Sequence, residues 1–347
     1  MGCHVPPRVT YWTGNWNPGR EAISSEISLL RNSLGAASVV VACSTRERVG
    51  VNASHRVLRI PASPWTYQPV ASVVERFGDV THIFGGLDSW YPLRFLGRRP
   101  MIVTLVTAGS PLASALLDPV AVWVAEADHL ADDARTAGIP TERIRVIRPG
   151  VNLELFRPSP VPDGPFKVLF ASSPQAAEEF EARGVNLLVD AARLLPDVRF
   201  VFAWRHWGNQ HELRAAIDAL SPPPNVEINV ADVPVMATVY ASVHAVAALF
   251  APGHGKSAAN SIIEGLACGR PALVSQSSGL ANLLRESAAG TVVSRTPEAV
   301  AEGITQLRAH YGIAVKRARS LAESHFDQAA FVTGYLRTYD AIANRAW

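Results

Sequence analysis

The sequence predicts an α/β fold built from two doubly wound domains. Three observations carry that expectation: short Val- and Ile-rich runs alternate with helical patterns, the alternation stops at a proline-rich stretch, and it then restarts. The chain has 347 residues, close to twice a typical domain of about 150. Nearly half the residues are hydrophobic, so each half can bury a core.

In the first half the expected strands are residues 9–12, 38–43, 56–60, 81–84, 101–106, 121–124 and 144–147. Most lack polar alternation, the pattern of strands covered by helices on both faces of a parallel sheet. Helical patterns at 22–34 and 127–137 lie between them, which implies right-handed crossovers. Residues 148–163 hold four prolines and no periodicity, and read as a linker. The second half restarts with strands at 167–171 and 198–204 around a helix at 185–195. Strands at 226–230, 243–250 and 272–275 follow. The triple proline at 222–224 marks a break inside this half. The last segment, 326–347, reads as a helix with Phe331, Tyr335 and Tyr339 four apart on one face. The expected division is 1–157, 158–325 and a closing helix, 326–347. Ligands in such sheets bind outside the carboxyl ends of the strands.

Composition removes several function classes. A formal charge of +2 does not suit a nucleic-acid binder driven by bulk charge. Cys3, Cys43 and Cys268 form no close pair and no metal-ligand spacing, which fits a reducing compartment. No basic segment followed by an apolar run marks a signal peptide, and no stretch reaches the roughly 18 apolar residues of a membrane span. A cytoplasmic location is expected, with peripheral membrane contact left open. Basic residues are almost all arginine; the lysines are Lys167, Lys256 and Lys316.

The most informative segment is 250–274, FAPGHGKSAANSIIEGLACGRPALV. An apolar strand ends at Phe250, a glycine loop follows, and a helix runs from Asn260 to Ala267. Gly269 and Pro271 end that helix. Small residues from Ser257 to Ser261 leave backbone N–H groups and the helix dipole open to a phosphate. Glu264, one turn in, is placed to reach an adjoining ribose. The plain alternative is an ordinary strand–loop–helix connection with a surface glutamate.

This segment resembles the signature of family 4 retaining glycosyltransferases, which have the GT-B fold of two Rossmann-like domains and a cleft. The family carries two glutamates separated by seven residues. Glu264 matches the second, which implies contact with the donor ribose. Lys256 stands where the first belongs. By the same resemblance Gly255, Lys256, Ser257, Ala258, Ala259, Asn260 and Ser261 surround the donor, with the amides near Ala259 to Ser261 on its diphosphate; His254, in the same loop, either contacts the donor sugar or is an ordinary exposed loop histidine. Arg183, opening RGVNLLVDAA, takes the place of a family lysine and implies a diphosphate contact. Ser172 and Ser173 stand where the family has a Gly-Arg pair. The runs IRVIRPGVN and FRP resemble the family's interdomain crossing, and LRTY its closing helix; the resemblance implies that 1–157 is the acceptor side, 158–325 the donor side, and that the helix 326–347 packs on the first domain.

The first half is less typical. Gly14 matches a family glycine loop beside the donor, or is a plain turn. Trp12 and Trp16 are either a sugar-stacking wall or core. Asp88 either orients or deprotonates an acceptor hydroxyl or caps the helix starting near Ser89. His82, inside a strand, reads as a satisfied core histidine. The family's histidine after strand 101–106 is absent, and Thr107 and Ser110 are the acceptor-side candidates there. Glu126 and Asp128 are expected to favour the first turn of a helix through its dipole. No Asp-x-Asp motif occurs, so neither metal nor cofactor is expected.

The resemblance implies metal-independent, retaining transfer of a hexosyl or N-acetylhexosaminyl group. The donor is a nucleotide-diphosphate sugar, UDP-sugar favoured and GDP-sugar the alternative. The acceptor is a hydroxyl on a small molecule, a lipid-linked molecule or a saccharide. Asp88, Arg183 and Lys256 are the catalytic candidates. Two rivals remain: a non-catalytic nucleotide-sugar binding protein of the same fold, and a dinucleotide-dependent oxidoreductase. The second lacks the Gly-x-Gly-x-x-Gly it needs after the first strand.

Overall fold

The computed structural model describes residues 6–43, 49–85, 95–109, 118–231, 233 and 235–344. The chain divides into two compact units, residues 1–150 with 329–347, and residues 151–328.

In the first unit β1 (Val9–Thr13), α1 (Ala22–Leu34), β2 (Ser38–Cys43), β3 (Gly50–Asn52), β4 (Val57–Ile60), α2 (Pro64–Val74), β5 (Val80–Gly85), β6 (Met101–Leu105), β7 (Val120–Ala125), α3 (Asp128–Thr136) and β8 (Ile144–Val146) follow in order. The sheet runs β3-β4-β2-β1-β5-β6-β7-β8. Its strands are parallel except for the antiparallel β3–β4 pair. Successive strand residues face opposite sides of a sheet. Trp12 accordingly joins the core with Tyr67 and Ala71 of α2 and Leu130 of α3. Tyr11 faces the other core, with Leu30 of α1 and with Phe331, Tyr335 and Tyr339.

The second unit contains β9 (Lys167–Phe170), α4 (Glu179–Arg183), α5 (Val185–Leu194), β10 (Arg199–Trp204), α6 (Gln210–Ala219), β11 (Val226–Val230), α7 (Met236–Ala241), β12 (Ala245–Ala248), α8 (Asn260–Ala267), β13 (Ala272–Ser275), α9 (Ala281–Ser287), β14 (Gly290–Val293), α10 (Pro297–Ala309) and α11 (Tyr311–His325). Its six parallel strands run β11-β10-β9-β12-β13-β14. The order reverses between β9 and β12, the switch point at which such sheets bind ligands. Cores fill both faces: Ile262 and Leu266 of α8 pack with Leu321 of α11 on one, Leu188 of α5 with Ile304 of α10 on the other.

The chain closes with α12 (Gln328–Ala343). Its three aromatics at four-residue spacing are buried against the first unit's sheet, with Tyr335 and Tyr339 fully so. The sequence reading lacked β3, which is short and exposed throughout, and β14, whose only apolar signal is two valines. It also lacked α2, whose pattern Pro69 interrupts.

Candidate donor site in the second unit

The site is built where β9 and β12 end. The loop after β12 is held by two hydroxyls: Ser275 Oγ and Ser277 Oγ each donate to Phe250 O at 2.7 Å. Gly255 has φ +68°, and a Cβ there would meet the Phe250 ring at 2.7 Å. The sharp turn therefore needs glycine at this position.

Helix α8 starts at Ala259, whose φ of −62° and ψ of 123° are extended, and no side chain caps the helix. Ala258 and Ala259 are buried in the core below. What this terminus offers a ligand is backbone N–H and dipole, not side chains. Lys256 Nζ donates to Asn260 Oδ1 at 2.9 Å, which lays the ammonium across the first turn. One turn on, the Tyr240 hydroxyl donates to Glu264 Oε2 at 2.8 Å. Tyr240 is fully buried, and its carbonyl is held by Arg270 Nε at 2.8 Å. Burial pushes the Glu264 carboxyl up to about 7. The Tyr240 hydrogen bond, and then the positive charges of Arg205 and Lys256, pull the other way.

On the β9 side, Arg183 pairs with Glu179 one turn earlier and donates to Ser172 Oγ at 2.7 Å. Gly184, at φ +82°, ends α4 where a Cβ would strike Leu249 at 2.7 Å, and so lets α5 begin at once. Ser173 Oγ accepts from Arg205 N at 2.8 Å. The Arg205 guanidinium lies over the Trp207 ring, 5.4 Å from its centroid.

The structure thus groups Ser172 with Arg183, Ser173 with Arg205, and Lys256 with Asn260 along one helix from Glu264. Ser257 and Ser261 are half-buried beside them, while His254 is exposed on the loop. Arg205 and Tyr240 were missed in the sequence. Arg205 carried a readable signal, a cation directly after an apolar strand. Tyr240 carried none, since its partner is 24 residues away.

In the first unit the described candidates are Gly14, Trp16 and Thr107. Trp16 is buried in the α1 face of the core, with Arg31 over its ring, so of its two readings core is the one observed. Trp12 is core as well. A Cβ at Gly14 would meet open space, so packing does not require glycine there. Thr107 is half-buried. Asp88 and Ser110 lie outside the described residues. His82 is a core histidine: Nδ1 is 2.7 Å from the Tyr339 hydroxyl and Nε2 2.8 Å from Thr104 Oγ1. Asp128 opens the first turn of α3, and Glu126, two residues earlier, is fully buried because β7 carries it into the interior. Among the described residues no three His, Cys, Asp or Glu side chains cluster as metal ligands.

Residues 166–310 match the family described as Glycosyl transferases group 1. No curated protein matches the chain. Among solved structures, the chain is similar to HepE from Anabaena in complex with UDP and glucose, with a TM-score of 0.76 at 16% identity over 96% of this chain and 100% of that one. It is similar to sucrose-phosphate synthase from Thermosynechococcus elongatus, with a TM-score of 0.72 at 16% identity over 96% and 98%. A glycosyltransferase from Rickettsia africae gives 0.70 at 15% identity over 98% and 100%. The fold is GT-B, and the family match falls wholly within the second unit.

Proposed function

We propose that this chain is a retaining glycosyltransferase taking its sugar from a nucleotide-diphosphate sugar, a UDP-sugar in the first place and a GDP-sugar as the alternative. The observation that carries the reading is the N-terminus of α8, which no side chain caps, at the switch point of the second unit, with Lys256 beside it and Glu264 one turn on. A diphosphate suits the uncapped N–H groups of a helix N-terminus and an ammonium beside them. An ionised Glu264 can accept both ribose hydroxyls on the oxygen that Tyr240 leaves open. The UDP seen in the HepE complexes supports a uridine donor.

In this reading the protein positions the donor and stabilises charge on the leaving diphosphate. The amides near Ala259, with Arg183 and Lys256, supply that charge. The diphosphate helps remove the acceptor proton on the face it leaves, so configuration is retained and no covalent nucleophile is needed. Metal is dispensable because N–H groups and cations occupy its role. The group moved is a hexosyl or N-acetylhexosaminyl residue, and the reaction is cytoplasmic. Lys256 at the first-glutamate position and Thr107 at the histidine position favour one second reading, a nucleotide-sugar binding protein without catalysis.

A thermal-shift series tests the donor. A ligand that binds only folded protein raises its melting temperature. UDP should stabilise more than UMP, and uridine least. No shift with any nucleotide diphosphate would overturn the proposal. Product anomers read by nuclear magnetic resonance separate retention from inversion, and absence of transfer with intact UDP binding selects the second reading.

A further inference from the structure

Helix α2 turns an unusual face outward. Its inner side, Tyr67 and Ala71, is core. Its outer side carries Trp65 at 89% exposure, Val73 at 54% and, just past its end, Phe77 at 64%. Pro69, also exposed, completes the row. Trp65, Pro69 and Val73 are spaced by four and share one face of the helix, and Phe77 follows at the same spacing past its end. Between 61 and 78 the only carboxylate is Glu75, and it is buried. Glu75 accepts from the backbone N–H of Gly97 at 3.0 Å and of Arg98 at 3.4 Å, and Arg99 Nε donates to Glu75 O at 3.0 Å. The buried acid thus draws a second arginine-bearing segment against the end of α2. Arg76 and Arg98 are exposed there.

We infer that this face docks on an anionic phospholipid surface. A row of four side chains presents on the order of 400 Å², whereas a stable protein interface takes about 800 Å² from each partner. A second copy of the chain, or another protein, would be held by too little. A bilayer surface asks for less: a helix lying in the interface plane with aromatic and aliphatic side chains sunk among the headgroups, and arginines beside them facing anionic phosphates. Both are present, and no exposed carboxylate of α2 opposes them. No helix among the described residues is long and apolar enough to cross a membrane, so the contact is peripheral. The inference does not rest on the donor reading, because vesicle binding and nucleotide binding are measured separately.

Co-sedimentation of the full chain with phosphatidylcholine vesicles, with and without phosphatidylglycerol, tests it. The chain should bind the anionic vesicles and release as salt rises. Trp65→Ser with Phe77→Ser should lower the partition constant at least about tenfold. Arg76→Ser and Arg98→Ser should each lower it about fivefold on anionic vesicles only. All four positions are exposed, and unchanged melting temperatures show that the fold is intact. Failure of the parent to bind, or equal binding by parent and Trp65/Phe77 variant, overturns the inference. So does a concentration-dependent dimer that the same variant abolishes, which would make a second copy the occupant.

Discussion

Each unit holds a cluster of polar side chains tied together by short hydrogen bonds, and the two clusters differ in one respect. In the first unit Tyr11, Tyr339, His82, Thr104 and Tyr335 form a chain of contacts between 2.7 and 3.1 Å, every member buried. In the second unit Tyr240 and Glu264 are linked at 2.8 Å, but Glu264 is partly exposed, and Arg205 and Lys256 act on it electrostatically. A closed, satisfied network rigidifies and locks α12 onto its sheet. An open one at a strand switch point keeps acceptor capacity for a ligand. Both look alike in sequence, as scattered tyrosines with one titratable residue; exposure tells them apart.

The largest expected effect lies in the closed cluster. His82→Leu would leave the Tyr339 and Thr104 hydroxyls short of a partner in the interior, at a cost of about 3 kcal/mol. The urea midpoint should fall sharply while the folded fraction keeps its UDP affinity. An unchanged midpoint would show that the network is not locking α12.

Next comes Lys256. Lys256→Glu should lower kcat/KM about a hundredfold and Lys256→Ala about tenfold, since only the first places a negative charge beside the diphosphate. Equal activity of the glutamate variant and the parent would show that Lys256 does not face the donor.

Tyr240→Phe should weaken UDP about fivefold. It also removes a hydrogen bond that favours the ionised carboxylate, so the midpoint of the pH dependence of UDP binding should move above about 7. A purely structural role for Tyr240 would leave that midpoint in place.

The clusters also answer pH with opposite signs. Burial holds the His82 imidazole well below its ordinary value of 6.5. Its stability contribution is full above 6.5 and is lost as pH falls. Glu264 sits at about 7, above its ordinary 4.5. Its contribution to the unliganded fold is full below 4.5 and is lost as pH rises through about 7, the same range in which UDP binding should strengthen. Melting curves of His82→Leu and Glu264→Gln against pH should each lose one arm. The smallest expected effect is none: excess chelator should leave transfer unchanged, and loss restored by magnesium or manganese would refute metal independence.

How much of this was legible depended on locality. Helix α8 was readable to the residue, because small residues precede Asn260 and Gly269 and Pro271 follow Ala267. The parallel strands were readable from their apolar runs. Trp16 was ambiguous because a tryptophan in a loop serves a core or a sugar equally well, and only its burial decides. The burial of Glu126 was not legible, because sequence shows its distance from α3 but not that β7 carries it into the interior. The link between Tyr240 and Glu264 was invisible, since it joins α7 to α8 across 24 residues. The outer face of α2 was hidden for a different reason: Pro69 broke the helical pattern, and with it the row from Trp65 to Phe77.

Calorimetric titration of UDP into the parent chain and into Glu264→Ala tests the central claim most directly. The account predicts binding to the parent, at least tenfold weaker binding to the variant through loss of a charged hydrogen-bond acceptor, and superimposable circular dichroism spectra. Equal affinities would remove Glu264 from the site and contradict the account.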